Sequence, residues 1–409
     1  MILPPGVSRD ARLLLAARAL RALCDGCVAL LLPAYLLALG FGTWEVGLLS
    51  SVTLLGSALA TLAVGMWGHL AGRRQLLLAA ALLMAATGLL FAASSAFWPL
   101  LVVAFVGTLN PSSGDVSVFV PLEHAGLAQA APAPARTALF ARYSLIGALC
   151  AALGALAAAL PDWLAGQGMD RLAALRAMFV VYGGTGLAIW LLYRRLPAPA
   201  PAQQSDPPAA LGASRGVVVR MAALFSLDSF AGGLVVNALL ALWLFQRFDM
   251  SLAAAGGFFF WAGLLTALSQ LAARWIAERI GLLNTMVFTH IPASVCLILA
   301  AFAPGLPAAL ALLLLRSALS QMDVPVRSAF VIAMVTPPER AAAASFTAVP
   351  RSLAAALSPS IGGALLAAGW LAAPLVACGA LKITYDLLLL LAFRREQGPA
   401  ADAPVAPRR

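Results

Sequence analysis

Asp25, Asp115, Asp228, Arg316, Asp323 and Arg327 each lie inside a long apolar stretch of the sequence. An ionisable side chain in hydrocarbon costs roughly 2.5–3.5 kcal/mol on insertion scales, so such residues mark places that hold protons, ions or polar solutes. A carboxyl group partly removed from water binds a proton more readily and gives it up when water returns, which is the chemistry of proton coupling. Asp115, within Asn110-Pro-Ser-Ser-Gly-Asp-Val-Ser117, has no close basic neighbour in sequence and is the leading proton or cation site. Asn110, Ser112, Ser113 and Ser117 around it can hydrogen-bond a solute or act as packing glue between helices. Asp323 can instead pair with Arg327 one turn on, across Pro325, and Asp25 with Arg21. Arg316 and Arg327 are alternative clamps for an anionic solute.

Other polar positions have plainer readings. Lys382, the only lysine, precedes Asp386 by one turn and reads as half of a structural pair. Glu123, His124 and Glu45 fall at helix ends and read as solvated. Cys24-Asp25-Gly26-Cys27 has the form of a thiol metal motif, but all five cysteines lie in apolar stretches and read as small packing residues, so no metal or cofactor is called for. His69, His124 and His290 stand on separate elements, which argues against an intramembrane enzyme.

These residues need a membrane scaffold. Of 409 residues, 62% are hydrophobic and 10% charged, against about a quarter charged in soluble domains. Apolar runs near 14–39, 45–67, 75–96, 98–122, 138–160, 174–193, 217–245, 251–273, 283–303, 306–334, 342–368 and 371–393 predict twelve transmembrane helices. The first run has no small-residue cleavage site behind it and reads as a retained helix. The net charge of +10 comes from basic residues at helix ends, not interleaved with aromatics, so it reports topology and not nucleic-acid binding. Arginines cluster in alternate loops, which predicts both termini in the cytoplasm. The abundance of alanine and arginine suggests a bacterial inner membrane.

The chain divides into a first half, 1–195, a flexible Pro/Ala/Gln/Ser linker, 196–216, a second half, 217–395, and a tail, 396–409. A shift of 208 or 209 residues superimposes Gly47 on Gly256, His69 on Glu278, Gly72 on Gly281, Asp115 on Asp323, Ser144 on Ser352 and Gly154 on Gly362. The halves therefore read as parallel repeats with a solute path between them.

The turn Gly65-Met-Trp-Gly-His69-Leu-Ala-Gly72-Arg73-Arg74 resembles the cytoplasmic signature of the major facilitator superfamily, with His69 in place of that family's aspartate and Leu70 in place of its first arginine. The second copy, Ile276-Ala-Glu278-Arg279-Ile-Gly281, keeps the acid, arginine and glycine. Ser358-Pro359-Ser-Ile-Gly362-Gly363 resembles the kink of that family's antiporters, on a different helix. The resemblance implies an all-α fold of twelve helices in two six-helix bundles related by a pseudo-twofold axis. It also implies a cavity lined by the first, fourth, seventh and tenth helices, a charged cytoplasmic latch that opens and closes during the cycle, and a monomer. The six intramembrane charges all fall on those four helices.

The reading that follows is proton-coupled export of small organic or amphipathic compounds. Import or exchange of an anionic or zwitterionic metabolite is the alternative, and a non-transporting solute receptor a third.

Overall fold

The computed structural model describes residues 8–68, 71–112, 117–130, 133–197, 211–212 and 214–394. The helices are α1 (Arg9–Ala38), α2 (Thr43–Trp67), α3 (Arg73–Ala93), α4 (Phe97–Val106), α5 (Phe119–Ala130), α6 (Ala133–Ala157), α7 (Leu160–Gly166), α8 (Arg171–Arg194), α9 (Arg215–Gly233) and α10 (Asn237–Phe248). They continue with α11 (Leu252–Ile280), α12 (Leu282–Ala301), α13 (Leu306–Leu319), α14 (Asp323–Met334), a 3-10 turn at Pro337–Glu339, α15 (Arg340–Ala367) and α16 (Ala373–Phe393). Ten helical stretches are long and apolar enough to cross a bilayer, and Phe97–Val106 adds a shorter apolar helix. The expected eleventh span is α15, a 28-residue helix that carries Arg351 and Pro359.

Local chemistry sets the helix ends. Ser8 caps α1 by accepting from the Ala11 N–H, and Asp170 caps α8 by accepting from the Ala173 N–H at 2.9 Å; each satisfies a donor that a helix start leaves open. Gly281, at the junction of α11 and α12, has φ +85°, a left-handed conformation in which a β-carbon would clash.

Three of the expected spans are interrupted where a continuous helix was anticipated. The fourth breaks after Val106 and resumes at Phe119. Pro111 has no N–H and disfavours helix at Asn110, and the Asn110 carboxamide oxygen accepts from the Ser112 N–H at 3.1 Å, closing a turn in place of helix. The seventh breaks between Gly233 and Asn237, and the tenth between Leu319 and Asp323. At the repeat shift of 208, Ser112 of the fourth span falls on Ser320 of the tenth, so the two breaks correspond. Irregular backbone at membrane depth persists only where protein or a water-filled cavity surrounds it.

The chain gathers into two units. One comprises Met1–Gln203, Val236–Phe260 and Pro359–Ala367; the other comprises Gln204–Val235, Trp261–Ser358 and Ala368–Arg409. In the first, α1 lies so close to α6 that a β-carbon on Gly26 would sit 2.0 Å from the Ala151 carbonyl oxygen. Small residues at such crossings let backbones meet where lipid supplies no hydrophobic drive. In the second, Val218, Met221, Phe225, Met286, Tyr385 and Phe393 build the core between α9, α12 and α16.

Candidate functional site

The second unit holds a buried network of charges drawn from four helices. Asp228 of α9, 5% exposed, is its centre. Lys382 of α16 donates to its Oδ1 at 2.6 Å, and Arg327 of α14 donates to its Oδ2 at 2.9 Å. Arg327 also donates to Asp323 one turn earlier. On the far side of Lys382, His290 of α12 stands with Nε2 at 3.3 Å from Nζ and Nδ1 at 3.0 Å from both oxygens of Asp386, which is 0% exposed. Desolvating six ionisable groups is costly, and mutual pairing is what offsets that cost. The Arg327 guanidinium also lies 5.3 Å from the Phe225 ring centre.

Three anticipated site residues, Asp228, Asp323 and Arg327, are thus brought together. The pair Asp323–Arg327 forms despite Pro325, because the helix restarts at Asp323. Pro325 then sits in the first turn of α14, where its missing N–H costs nothing. Arg316 stands apart, half-buried on α13. Among the described residues, no acid lies within ion-pair distance of Arg316.

The local pairing expected for Lys382 and Asp386 is corrected. Each turns to another helix, Lys382 to Asp228 and Asp386 to His290.

The first unit carries a second buried cluster. Arg21 of α1 donates from Nη1 and Nη2 to the two carboxylate oxygens of Glu123 at 3.0 and 2.7 Å. Tyr193 donates to Glu123 at 2.6 Å, and Tyr143 donates to the same carboxylate. Glu123 is 0% exposed, so its reading as a solvated helix-end residue is corrected. Arg21 commits both terminal nitrogens here, and not to its helical neighbour Asp25, the alternative partner. Asp25 itself is buried on α1.

Asp115, Ser113 and His69 lie outside the described residues. Asn110 is buried at the break in the fourth span, and the Ser117 hydroxyl at the other side of that break accepts from the Phe119 N–H.

The residues of the cytoplasmic signature make contacts within their own units. Gly72 precedes α3, Arg73 donates to Gln129 at 2.5 Å, and Arg74 donates to the Arg194 carbonyl at 2.8 Å. A β-carbon on Gly65 would meet nothing within 4 Å. In the second copy, Glu278 accepts from Arg274 at 2.8 Å and Arg279 stacks on Trp275 at 3.6 Å, ahead of Gly281. Pro359, Gly362 and Gly363 lie within α15. Here the fit with α2 is tight: a β-carbon on Gly47 would sit 2.6 Å from the Pro359 carbonyl oxygen and 2.8 Å from the Gly363 Cα. The Ser360 N–H donates to Ser51 at 2.8 Å beside it.

Sequence reasoning did not anticipate His290, Lys382 and Asp386 as one network with Asp228. The available signal was that all are ionisable and lie inside apolar spans.

A helical membrane protein with broken spans and a buried charge network is the architecture of a secondary transporter, and comparison with known proteins agrees. The family model of the Major Facilitator Superfamily matches residues 14–315, and the chain belongs to that family. It is 26% identical over 422 residues to an uncharacterized membrane protein of Saccharomyces cerevisiae, covering 94% of each chain. Its fold is similar to that of the nucleoside transporter NupG, with a TM-score of 0.73 at 14% identity over 95% of this chain and 100% of that one. It is also similar to a D-xylose–proton symporter, with a TM-score of 0.72 at 16% identity over 92% and 97%. The chain is therefore a multi-pass membrane protein of a transporter family whose partner is a small solute.

Proposed function

We propose that this chain is a proton-coupled secondary transporter that exports small organic or amphipathic compounds, working as a monomer in a bacterial inner membrane with both termini cytoplasmic. The observation that carries the reading is the network around Asp228. Three carboxylates, two permanent cations and one imidazole share a buried site, and a proton added to or taken from it changes which of these charges are matched. Asp228 and Asp323 are its coupling acids, and Asp115 holds the position of Asp323 in the first repeat. The two sequence halves, 1–195 and 217–395, are the bodies that move against each other in alternating access, with the segments at Gly65–Arg74 and Glu278–Gly281 gating the cytoplasmic side.

Arg327 is engaged with two carboxylates. That disfavours the alternative in which Arg327 clamps an anionic metabolite.

The test is flux in inverted vesicles from an efflux-deficient host, across a panel of toxicants, with an imposed pH gradient. Uptake into inverted vesicles that follows the gradient and is lost in Asp228→Asn and Asp115→Asn is the expected result. Flux in the opposite direction would move the reading to import, and flux indifferent to pH would remove proton coupling.

A further inference from the structure

The contacts of His290 favour one tautomer. An ammonium group has no lone pair, so the 3.3 Å approach of Lys382 Nζ to His290 Nε2 is a hydrogen bond only if Nε2 accepts. The ring proton then resides on Nδ1, where it is donated to Asp386 at 3.0 Å. With the proton on Nδ1 alone, His290 bridges a lysine on one side to an aspartate on the other.

A second acceptor lies just beyond reach. Asp228 Oδ1 stands 3.8 Å from His290 Nε2, and Lys382 occupies it at 2.6 Å. A proton arriving from water on Nε2 turns that nitrogen from acceptor to donor. The contact with Lys382 becomes a repulsion between two cations, while Asp228 Oδ1 becomes the nearest partner for the new N–H.

We propose that His290 is the positioning residue through which one proton decides whether Lys382 or His290 holds Asp228. Proton uptake at Nε2 transfers Asp228 Oδ1 from Lys382 to the imidazolium and releases the lysine from α9. Loss of that proton to water restores the lysine bridge. This deepens the proton-coupled reading above and rests on it for its role in transport, but the exchange itself is a property of the site.

The groups around the imidazole are consistent with this exchange. From α16 come Lys382, Asp386 and Tyr385, whose ring stands edge-on 6.1 Å from the imidazole. From α9 comes Asp228; from α14 come Arg327, which donates to the other Asp228 oxygen and so leaves it in place when Lys382 departs, and Asp323, which accepts from the same arginine. Arg316 of α13 is half-buried and Arg351 of α15 is exposed, and among the described residues neither lies within hydrogen-bond distance of the imidazole. Among the described residues Lys382 is the only cation within hydrogen-bond distance of the imidazole, so it is the group that protonation displaces.

The experiment is a pH titration of the full chain, labelled with ¹⁵N-histidine, by nuclear magnetic resonance; the signal missing from His290→Gln identifies His290. The expected result is an Nδ1–H tautomer at high pH, protonated on Nε2 as pH falls. In Lys382→Met, where Nε2 has lost the donor it accepts from, the ring signals at high pH should depart from the wild-type pattern. An Nε2–H tautomer at high pH in wild type, or ring signals unmoved by Lys382→Met, would overturn the proposal. If Lys382→Met does not fold, the wild-type tautomer decides alone. Because this readout needs no solute, flux indifferent to pH alongside the expected titration would defeat proton-coupled transport and leave the exchange at His290 standing.

Discussion

Arg21 and Glu123 form a two-pronged ion pair between α1 and α5, and Asp228 and Arg327 form the corresponding pair between α9 and α14 with the signs exchanged. The sequence shifts are 228 − 21 = 207 and 327 − 123 = 204, close to the 208 that relates the repeats. Each arginine also lies beside a phenylalanine ring, Phe119 at 4.5 Å and Phe225 at 5.3 Å. The first pair is finished with tyrosine hydroxyls and the second with lysine, histidine and further acids. The repeats thus keep one device, a charge pair tying the first helix of each half to the fourth, and elaborate it differently.

Breaking the first pair from one side should be expensive. Glu123→Gln leaves the Arg21 charge buried without a counter-charge, and a loss of about 3–5 kcal/mol is expected. The double variant Arg21→Met/Glu123→Gln should recover most of it. Thermal unfolding of the purified protein across the double-mutant cycle checks this; additive losses would mean the two residues act independently.

Asp228 and Asp323 should differ in weight. Asp228→Asn removes the carboxylate that Lys382 and Arg327 share, and about 3–5 kcal/mol of stability with at least a tenfold fall in pH-driven flux is expected. Asp323→Asn leaves Arg327 paired with Asp228 and should cost about 1–2 kcal/mol. Equal effects of the two substitutions on unfolding would contradict the central position of Asp228.

Glu339 should make the start of α9 sensitive to acid. Its carboxylate accepts from the Gly212 N–H at 2.7 Å and the Ser214 N–H at 3.0 Å, while the Ser214 hydroxyl accepts from the Thr336 N–H at 3.2 Å. Hydrogen bonds from the Ser214 side chain and the Gly212 backbone hold the carboxyl at about 2, below its ordinary 4.5. A lowered folded-state value means that the stabilisation is complete above about 4.5 and is lost as pH falls through about 2. The difference in hydrogen exchange at residues 215–218 between wild type and Glu339→Gln should be full at pH 6 and shrink below pH 4.5. A difference that does not change with pH would show that the carboxylate charge is not what holds the turn.

Two glycines of α2 should respond oppositely to one methyl group. Gly47→Ala places a β-carbon against the backbone of α15 and is expected to cost about 1–3 kcal/mol. Gly65→Ala enters open space and should be neutral, or stabilising by up to about 1 kcal/mol. Unfolding midpoints of the two variants measured side by side decide it.

Much of this architecture is legible in the sequence, because hydropathy reports which segments must avoid water whatever their neighbours. The breaks could be read in part: Asn110-Pro111 signals a turn, whereas little in Leu319 to Asp323 does. The Asp323–Arg327 pair was legible because it is local, four residues along one helix. The bonds of Lys382 to Asp228 and His290 to Asp386 join residues 154 and 96 positions apart, and no spacing rule reaches across helices. Local rules instead pointed to Lys382 with Asp386 and Arg21 with Asp25. In each case the arginine or lysine took a partner on another helix.

The break in the fourth span also bears on how the protein is made. The Pro111 carbonyl there accepts from the Ala238 N–H at 3.1 Å, and that donor lies 238 − 111 = 127 residues further along the chain. At the ribosome's pace of about 5–20 residues per second, the carbonyl waits roughly 6–25 s for its partner. α4, at ten residues, covers only about 15 Å of a core roughly 30 Å thick. The first half of the nascent chain must therefore enter the bilayer with an open backbone acceptor, which the start of the second half then closes.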